Sequence, residues 1–422
     1  MLKRKLGKTW YLLLILLSLP VLFVASWVWA SASGGPVPRT STSPFRQAPT
    51  RQAVQTPISR SPRLLKGKLA SLGWIYGRDC QRGLQAYLQT ASINPDGALV
   101  GTGWLDASSG KLTSSKRNNC LPGSLSMDNV VQLVHNKGGM AYLTITMRTA
   151  GGIEKTWTSQ QESAYIEKAT TDHRYIDPIV HEVIRAHYDG VIMDLETGDR
   201  HYPHIQQLFA TYNQQVWAAL KPLHKWYGIA LLHKVSDHDE YYNINAFENW
   251  SLLAHTADFI VVMAVDQSYF TPGPTVSVPW LKQLLAYALQ TMPDMLPRIV
   301  WELPLYGASW YREGEKWVFD RGVTYQDAQT LVEQVPQAQI DIGASDLNDP
   351  YAAHLVYTDA SGVKHALWYH TARNLLHIIT EFRQVLEQEP NFANSHLQIA
   401  AWYRATWEPG DLWSLLLPVL PN

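Results

Sequence analysis

This chain contains few cysteines and has almost no net charge. Its 422 residues include two cysteines, Cys80 and Cys120, and its formal net charge is −1. The chain can therefore form at most one internal disulfide. In an oxidising exterior these two thiols either pair or remain separate buried side chains. The near-zero net charge gives no indication of nucleic acid as a partner.

Acidic residues are absent between Ser31 and Arg63, a stretch rich in Ser, Pro, Thr, Gln and Arg. This composition predicts a disordered, extended linker over residues 31–65. The preceding residues 1–30 combine a basic start with an apolar run, Trp10–Ala30, that is long enough to span a bilayer as a helix. We predict either a signal anchor that holds the rest of the chain outside the cell membrane, or a signal peptide cut near Ala32, which would give a secreted protein.

The sequence does not indicate a metal centre. The most metal-like run is Asp237-His238-Asp239-Glu240, yet consecutive polar residues of this kind are typical of a solvated loop. We therefore predict no metal and no other cofactor.

Residues 66–422 show short apolar runs that alternate with amphipathic segments, the pattern of strand–helix units. One of the amphipathic segments ends at Gly138-Gly139, which predicts a helix C-cap. Eight such units predict an α/β fold of the (β/α)8 or TIM barrel type. The predicted strands are Gly73–Tyr76, Leu99–Leu105, Met140–Met147, Gly190–Leu195, Gly228–Leu232, Phe259–Ala264, Arg298–Leu303 and His396–Trp402.

The chain is longer than eight units need, and the excess lies between the seventh and eighth predicted strands. Residues from about 318 to 369 combine short strand-like runs with a helical segment at 324–335. Within them, Asp359-Ala360-Ser361-Gly362 predicts a hairpin turn. We expect a small α+β insertion at this point of the barrel.

Two carboxylates end the fourth predicted strand. Asp194 and Glu196 follow the apolar run Val191-Ile192-Met193, and side chains two residues apart on a strand share one face. In a barrel of this type, catalytic groups come from the C-terminal ends of strands, and Asp266 also follows a strand directly. Neighbouring acids push their pKa values apart, so that one can hold a proton near neutral pH. This pairing is typical of glycosidic bond cleavage.

Four segments together resemble one family. Asp189–Glu196 resembles the DGxDxDxE signature of glycoside hydrolase family 18, the chitinase-like family. Val261–Asp266 is similar to its MxYD motif and Leu303–Gly307 to its PxYG motif, while Trp402 falls where its eighth-strand tryptophan belongs. The segment Tyr351–Phe382 resembles the branch that includes spore cortex-lytic and germination enzymes.

The resemblance implies a mechanism and a set of roles. Glu196 matches the general acid, and Asp194 matches the acid that orients the sugar's 2-acetamido group, whose oxygen is the nucleophile. Asp266 and Trp402 match residues that bind the sugar, and Asp189 matches the first residue of the signature. The implied partner is an N-acetylglucosamine-containing glycan with β-1,4 linkages, either peptidoglycan or a chitin-like polymer.

Two positions depart from the family's motifs. Ile192 stands where the family usually has Asp or Asn, and Val265 stands where it has a tyrosine. The missing hydroxyl could be replaced from Tyr76, Tyr306 or Tyr403. The sequence therefore leaves two functions open, a glycoside hydrolase and a catalytically inactive glycan-binding protein.

Two further polar residues are candidates for substrate binding. Glu302 interrupts the apolar seventh strand, where it either faces the barrel mouth or faces a helix and pairs with a base. His233 follows the fifth strand, where it either contacts substrate or belongs to an ordinary loop.

Overall fold

A computed structural model describes residues 71–74, 84–85, 88, 98–106, 112–114, 127–148, 158–196, 198–237, 246–392, 398–401 and 412–416. The predicted anchor and linker lie outside these residues, as do Tyr76, Cys80, Cys120 and Trp402. Among the helices of the described ranges, none combines the length and the apolar character that crossing a membrane requires.

Eight parallel strands close into a barrel. In chain order they are β1 (Ser71–Trp74), β2 (Ala98–Asp106), β4 (Ala141–Arg148), β5 (Gly190–Met193), β6 (Trp226–Leu232), β7 (Phe259–Met263), β8 (Ile299–Leu303) and β13 (Gln398–Ala401). Each strand pairs with the next, and β13 returns to pair with β1, so the barrel is closed. The predicted barrel and its eight strands are confirmed. A short strand that was not predicted, β3 (Leu112–Ser114), runs antiparallel beside the end of β2.

Helices connect most of these strands. They are α1 (Met127–Asn136), α2 (Ser159–Thr171), α3 (Asp177–Arg185), α4 (Ile205–Leu220), α5 (Trp250–Leu253), α6 (Val278–Thr291), α7 (Tyr325–Gln334), α8 (Ala372–Leu386) and α9 (Leu412–Leu416). Sequence signals fix several of their ends. Gly138 adopts a left-handed φ of 77° just after α1, as the C-cap prediction requires. Thr158 and Thr371 close capping boxes at the starts of α2 and α8.

Two apolar layers lie on the two sides of the barrel wall. The inner layer includes Trp74, Tyr142, Ile192, Val261 and Val300, which project from different strands into the barrel. The outer layer packs the alternate strand residues against the helices. Strands β5, β6 and β7 are therefore apolar on both faces, as a parallel sheet covered by helices requires. A polar side chain that projects inward is unusual in such a barrel, which makes it a candidate for function.

Acids tie the N-terminal ends of two strands to their neighbours. Asp189, just before β5, accepts a hydrogen bond from the Ala141 backbone N at 2.7 Å, and a ring nitrogen of His135 lies 2.8 Å from the same oxygen. Asp258, just before β7, accepts one from the Tyr227 backbone N at 2.9 Å. Acids at this end of a barrel strand therefore serve the fold and not the chemistry.

A four-stranded antiparallel sheet separates β8 from β13. Its strands are β9 (Gly307–Glu313), β10 (Lys316–Val323), β11 (Ala353–Thr358) and β12 (Lys364–Tyr369), in the order β10-β9-β12-β11. β11 and β12 form the hairpin around the Asp359–Gly362 turn, and α7 covers one face of the sheet. The sheet begins at Gly307, N-terminal to the expected start near residue 318, because β9 follows the seventh barrel strand almost at once.

Candidate active site

Asp194 and Glu196 continue the inward face of β5. Val191 and Met193 pack in the outer layer and Ile192 in the inner layer, so alternation turns residues 194 and 196 inward. The Asp194 backbone N donates to the Ile145 carbonyl at 2.9 Å, which extends the strand pairing past Met193. Both acids retain partial contact with solvent. They therefore lie at the barrel mouth, where a ligand can reach them.

The environment of Asp194 favours its protonated form. Burial raises its pKa well above the ordinary value, and the neighbouring charges of Glu196 and Glu302 and a hydrogen bond with Glu196 raise it further. Oδ1 of Asp194 is buried without a hydrogen-bond partner among the described residues. A carboxyl group of this kind can hold a proton near neutral pH and exchange it with a neighbour.

Glu302 faces the same mouth. Its neighbour Trp301 packs outward against Phe382 of α8, with 5.1 Å between ring centroids, while Val300 belongs to the inner layer. Alternation therefore turns Glu302 inward, and only 2% of it is exposed. Of the two orientations that the sequence left open, the structure has the one that faces the mouth.

The charge state of Glu302 follows from this placement. Burial, then the charges of Glu196 and Asp266, raise its pKa to about 8. The indole of Trp74 slightly offsets this rise, although its N–H makes no hydrogen bond of full geometry among the described residues. Glu302 is therefore protonated at neutral pH.

Asp266 and Tyr306 form a third polar group at the mouth. The Tyr306 hydroxyl donates to Oδ1 of Asp266 at 2.6 Å, and this bond partly offsets the rise in the Asp266 pKa that burial causes. Asp266 has a left-handed φ of 59°, so the chain turns sharply as it leaves β7. Val265, at the position of the missing tyrosine, packs against the inner apolar layer.

Two acids near this site, Glu248 and Glu162, were missed by the sequence reasoning. Glu248 is completely buried, and its Oε2 accepts a hydrogen bond from the Leu232 backbone N at 3.0 Å. Burial raises its pKa well above the ordinary value, although the charge of Lys234 opposes that rise. The Lys234 ammonium donates to the Glu248 carbonyl at 2.8 Å. Glu162 of α2 is also buried, and its charge adds to the rise in the Asp194 pKa.

Two threonines line the wall beside Asp194. Thr144 and Thr146 lie on the inward face of β4, and Thr144 is opposite Ile192 in the strand register. Their hydroxyl oxygens are buried without hydrogen-bond partners among the described residues, like Oε2 of Glu302. Threonines two residues apart in an otherwise apolar strand were the available sequence signal. Several unsatisfied polar atoms therefore point into one mouth, as a polyhydroxylated ligand requires.

His233 does not reach this mouth, contrary to the substrate-contact expectation. It is 4% exposed and its ring packs edge-on against Trp280 of α6, 4.9 Å between centroids. Burial lowers its pKa to about 4, with a partial offset from the Met263 backbone. The physical reason is strand alternation, because Leu232 and Lys234 take the inward positions that flank it.

The structure thus brings together five of the predicted site residues and separates two. Asp194, Glu196, Asp266, Glu302 and Tyr306 meet at the mouth. His233 lies on the outer side, and Asp189 lies at the opposite end of β5. Within the described ranges, no group of three or more His, Cys, Asp or Glu side chains has an arrangement that could hold a metal ion.

Comparisons with known proteins agree with this geometry at the level of the fold. No protein-family model matches the sequence, and no curated protein matches it. Among solved structures, a chitinase from Chromobacterium violaceum matches with 15% identity and a TM-score of 0.64, covering 82% of this chain and 98% of that one. The Bacillus cereus spore cortex-lytic enzyme SleL matches with 19% identity and a TM-score of 0.62, covering 83% and 73%. A chitinase-like agglutinin from Robinia pseudoacacia matches with 15% identity and a TM-score of 0.55, covering 82% and 98%.

This chain therefore has the fold of chitinases and of spore cortex-lytic enzymes, as the motif resemblance predicted.

Proposed function

We propose that this protein is a glycoside hydrolase that cleaves β-1,4 linkages in an N-acetylglucosamine-containing glycan. The observation that supports this most directly is the Asp194–Glu196 pair, which projects inward from the end of β5 and keeps partial contact with solvent. Glycoside hydrolysis needs a carboxyl group that holds a proton at neutral pH beside a second carboxyl group. The structural neighbours include chitinases and a spore cortex-lytic enzyme, which supports a glycan as the substrate.

In this mechanism Glu196 is the general acid. Its proton moves to the glycosidic oxygen as the bond between that oxygen and the anomeric carbon breaks. The oxygen of the sugar's own 2-acetamido group forms a bond to the anomeric carbon, and Asp194 stabilises the positive charge that develops on the acetamido nitrogen. Water then attacks the same carbon from the other face as the bond between that carbon and the acetamido oxygen breaks. Glu196 takes a proton from this water, and the anomeric configuration is retained.

Other residues of the mouth would bind and orient the sugar. Asp266, which accepts a hydrogen bond from Tyr306, would bind a sugar hydroxyl at the mouth. Tyr76 and Trp402 complete the proposed binding set. A ring at residue 402 would cover one face of the sugar.

The place of action is part of the proposal. Either the apolar run at 10–30 anchors the barrel outside the cell membrane, or cleavage near Ala32 releases it. Both arrangements would bring the barrel to peptidoglycan or to a chitin-like polymer outside the cell. No cofactor enters the mechanism, because the acetamido group supplies the nucleophile.

The test is the release of reducing ends by the purified full chain from peptidoglycan and from chitooligosaccharides. The Glu196→Gln variant should lose this release, whereas Glu333→Gln, a change of an exposed acid on α7, should keep it. If the wild-type chain releases no more than Glu196→Gln on any of these glycans, it is not a glycoside hydrolase of this kind.

A glycan-binding protein without turnover is the second candidate function. Ile192 and Val265 favour it, because neither side chain can form the hydrogen bonds that the family's residues form at these positions. One structural neighbour is named as an agglutinin. This function predicts that oligosaccharides bind to the chain, that Trp402→Ala weakens the binding, and that no products appear. Turnover that depends on Glu196 would exclude it.

A further inference from the structure

We propose that Glu302 is a positioning residue of the cleavage proposed above. It carries the proton that allows Asp194 to hold a negative charge, a task for which Ile192 supplies no polar atom. This inference rests on the proposed function, but its central part concerns which carboxyl group holds a proton and can be measured without turnover.

Strands β5 and β8 direct Asp194 and Glu302 into the same barrel mouth. Ile192 and Val300 both belong to the inner apolar layer of the barrel. Asp194 and Glu302 each lie two residues further along their strands, β5 and β8, on the same inward face. The two carboxyl groups therefore enter the mouth from different strands, and the charge of Glu302 acts on Asp194.

The unsatisfied hydrogen bonds of both carboxyl groups favour a proton on Glu302. Oδ1 of Asp194 and Oε2 of Glu302 are both buried without a hydrogen-bond partner among the described residues. Glu302 is 2% exposed, so water cannot compensate freely for what the protein does not supply. A buried carboxyl group without a compensating base is stable only in its neutral form. Glu302 is thus held as a protonated carboxylic acid.

The charges around Glu302 also favour its protonated form. The titratable groups that face it are Asp194 and Glu196 after β5, Asp266 after β7 and Tyr306 after β8. All four are acids, so each one that ionises favours the proton on Glu302. The described groups that shift the pKa of Glu302 include no cation. The nearby Lys234 acts on Glu248 instead.

During the reaction Asp194 would be the ionised carboxyl group and Glu302 the protonated one. Asp194 must carry a negative charge when the acetamido nitrogen becomes positive. If Glu302 were ionised as well, two negative charges would face each other and Asp194 would keep a proton instead. A protonated Glu302 removes this competition, and in the reacting complex it would donate a hydrogen bond to Asp194. No proton leaves the site, so the step balances without a further reactant.

The kinetic test compares two substitutions in the full chain. Glu302→Leu should lower kcat about tenfold, the value of one hydrogen bond to a charged group, with little change in KM. Glu302→Gln keeps a neutral donor and should lose less activity than Glu302→Leu. In the wild-type protein activity should fall as the pH rises through about 8, and this ionisation should be missing from the profile of Glu302→Gln. An unchanged kcat and an unchanged pH profile in both variants would overturn the proposal.

The second test does not depend on turnover. Infrared difference spectra across pH 8 should show the loss of one protonated carboxylic acid's carbonyl band in the wild-type protein, and this loss should be missing in Glu302→Gln. Because Asp194 faces Glu302, Asp194→Asn should move this loss to lower pH. A band loss near pH 8 that persists in Glu302→Gln, or that does not move in Asp194→Asn, would overturn the proposal. Melting curves verify that each variant is folded.

The two failures can be told apart. A wild-type chain that hydrolyses no glycan contradicts the proposed function, whereas the infrared titration decides separately whether Glu302 holds the proton beside Asp194.

Discussion

The two ends of strand β5 carry acids with opposite surroundings. Asp189 precedes the strand and is engaged by the Ala141 backbone N and by His135. Asp194 follows the strand, has a buried oxygen without a partner among the described residues, and faces further acids. An acid whose hydrogen bonds are complete supports the fold. An acid that is buried, repelled by its neighbours and incompletely bonded is maintained at a cost in stability, which points to function.

The largest effect expected at the mouth is that of the general acid. Glu196→Gln should lower kcat by roughly 10²–10⁴-fold, the usual contribution of general acid catalysis, because the amide has no proton to give to the leaving oxygen. The melting temperature should stay close to that of the wild type. Reducing-end assays at saturating substrate measure this, with Glu333→Gln as the control.

A matched pair of substitutions tests the difference between Asp194 and Asp189 most directly. Asp194→Asn should lower kcat by roughly 10²-fold, because the amide cannot stabilise a positive charge. Asp189→Asn should lower the free energy of unfolding by about 1–3 kcal/mol and leave kcat of the folded protein nearly unchanged. Urea unfolding and steady-state kinetics on both variants measure the two effects. A loss of kcat in Asp189→Asn without a loss of stability would break the comparison.

The pH dependence of stability tests the protonation of a further acid at the mouth, Glu302. The pKa of Glu302 is raised from 4.5 to about 8 in the folded chain, so the folded state binds more protons. Its contribution to stability is complete below pH 4.5 and is lost as the pH rises toward 8. Glu302→Gln, which does not titrate, should therefore be more stable than the wild type at pH 8, by about 5 kcal/mol as an upper bound.

Melting temperatures at pH 4.5 and pH 8 measure this effect. The difference between Glu302→Gln and the wild type should grow with pH. A constant difference would mean that Glu302 is ionised throughout this range.

The smallest effect is expected at Tyr306. Its hydroxyl donates to Asp266 at 2.6 Å, so Tyr306→Phe removes one hydrogen bond that orients Asp266, a proposed sugar-binding residue. We expect a several-fold rise in KM, corresponding to about 1 kcal/mol, with a smaller change in kcat. Tyr311→Phe, on β9 of the insertion, is the control. If Tyr306→Phe lowers kcat far more than it raises KM, Tyr306 takes part in the chemical step.

Much of the barrel was predictable from the sequence. The strands are short apolar runs that are buried on both faces, so their positions followed from composition and spacing. Close strand packing also requires Gly190 at the start of β5, since a Cβ there would overlap the Trp226 carbonyl oxygen. Side-chain direction was harder to predict just beyond a strand. His233 was expected at the mouth and packs on Trp280, while Lys234 beside it takes the inward position.

The sequence by itself determined the order of strands and helices, the acids at the ends of β5 and β7, and the resemblance that these motifs carry. These features depend on local periodicity and on residue type. Only the tertiary structure decided that Glu302, Glu248 and Thr144 join Asp194 around one mouth, because their strands and loops are distant in the sequence. It also decided which carboxyl groups hold protons. Burial and the distances between charges set the free energy of ionisation, and both exist only in the closed barrel.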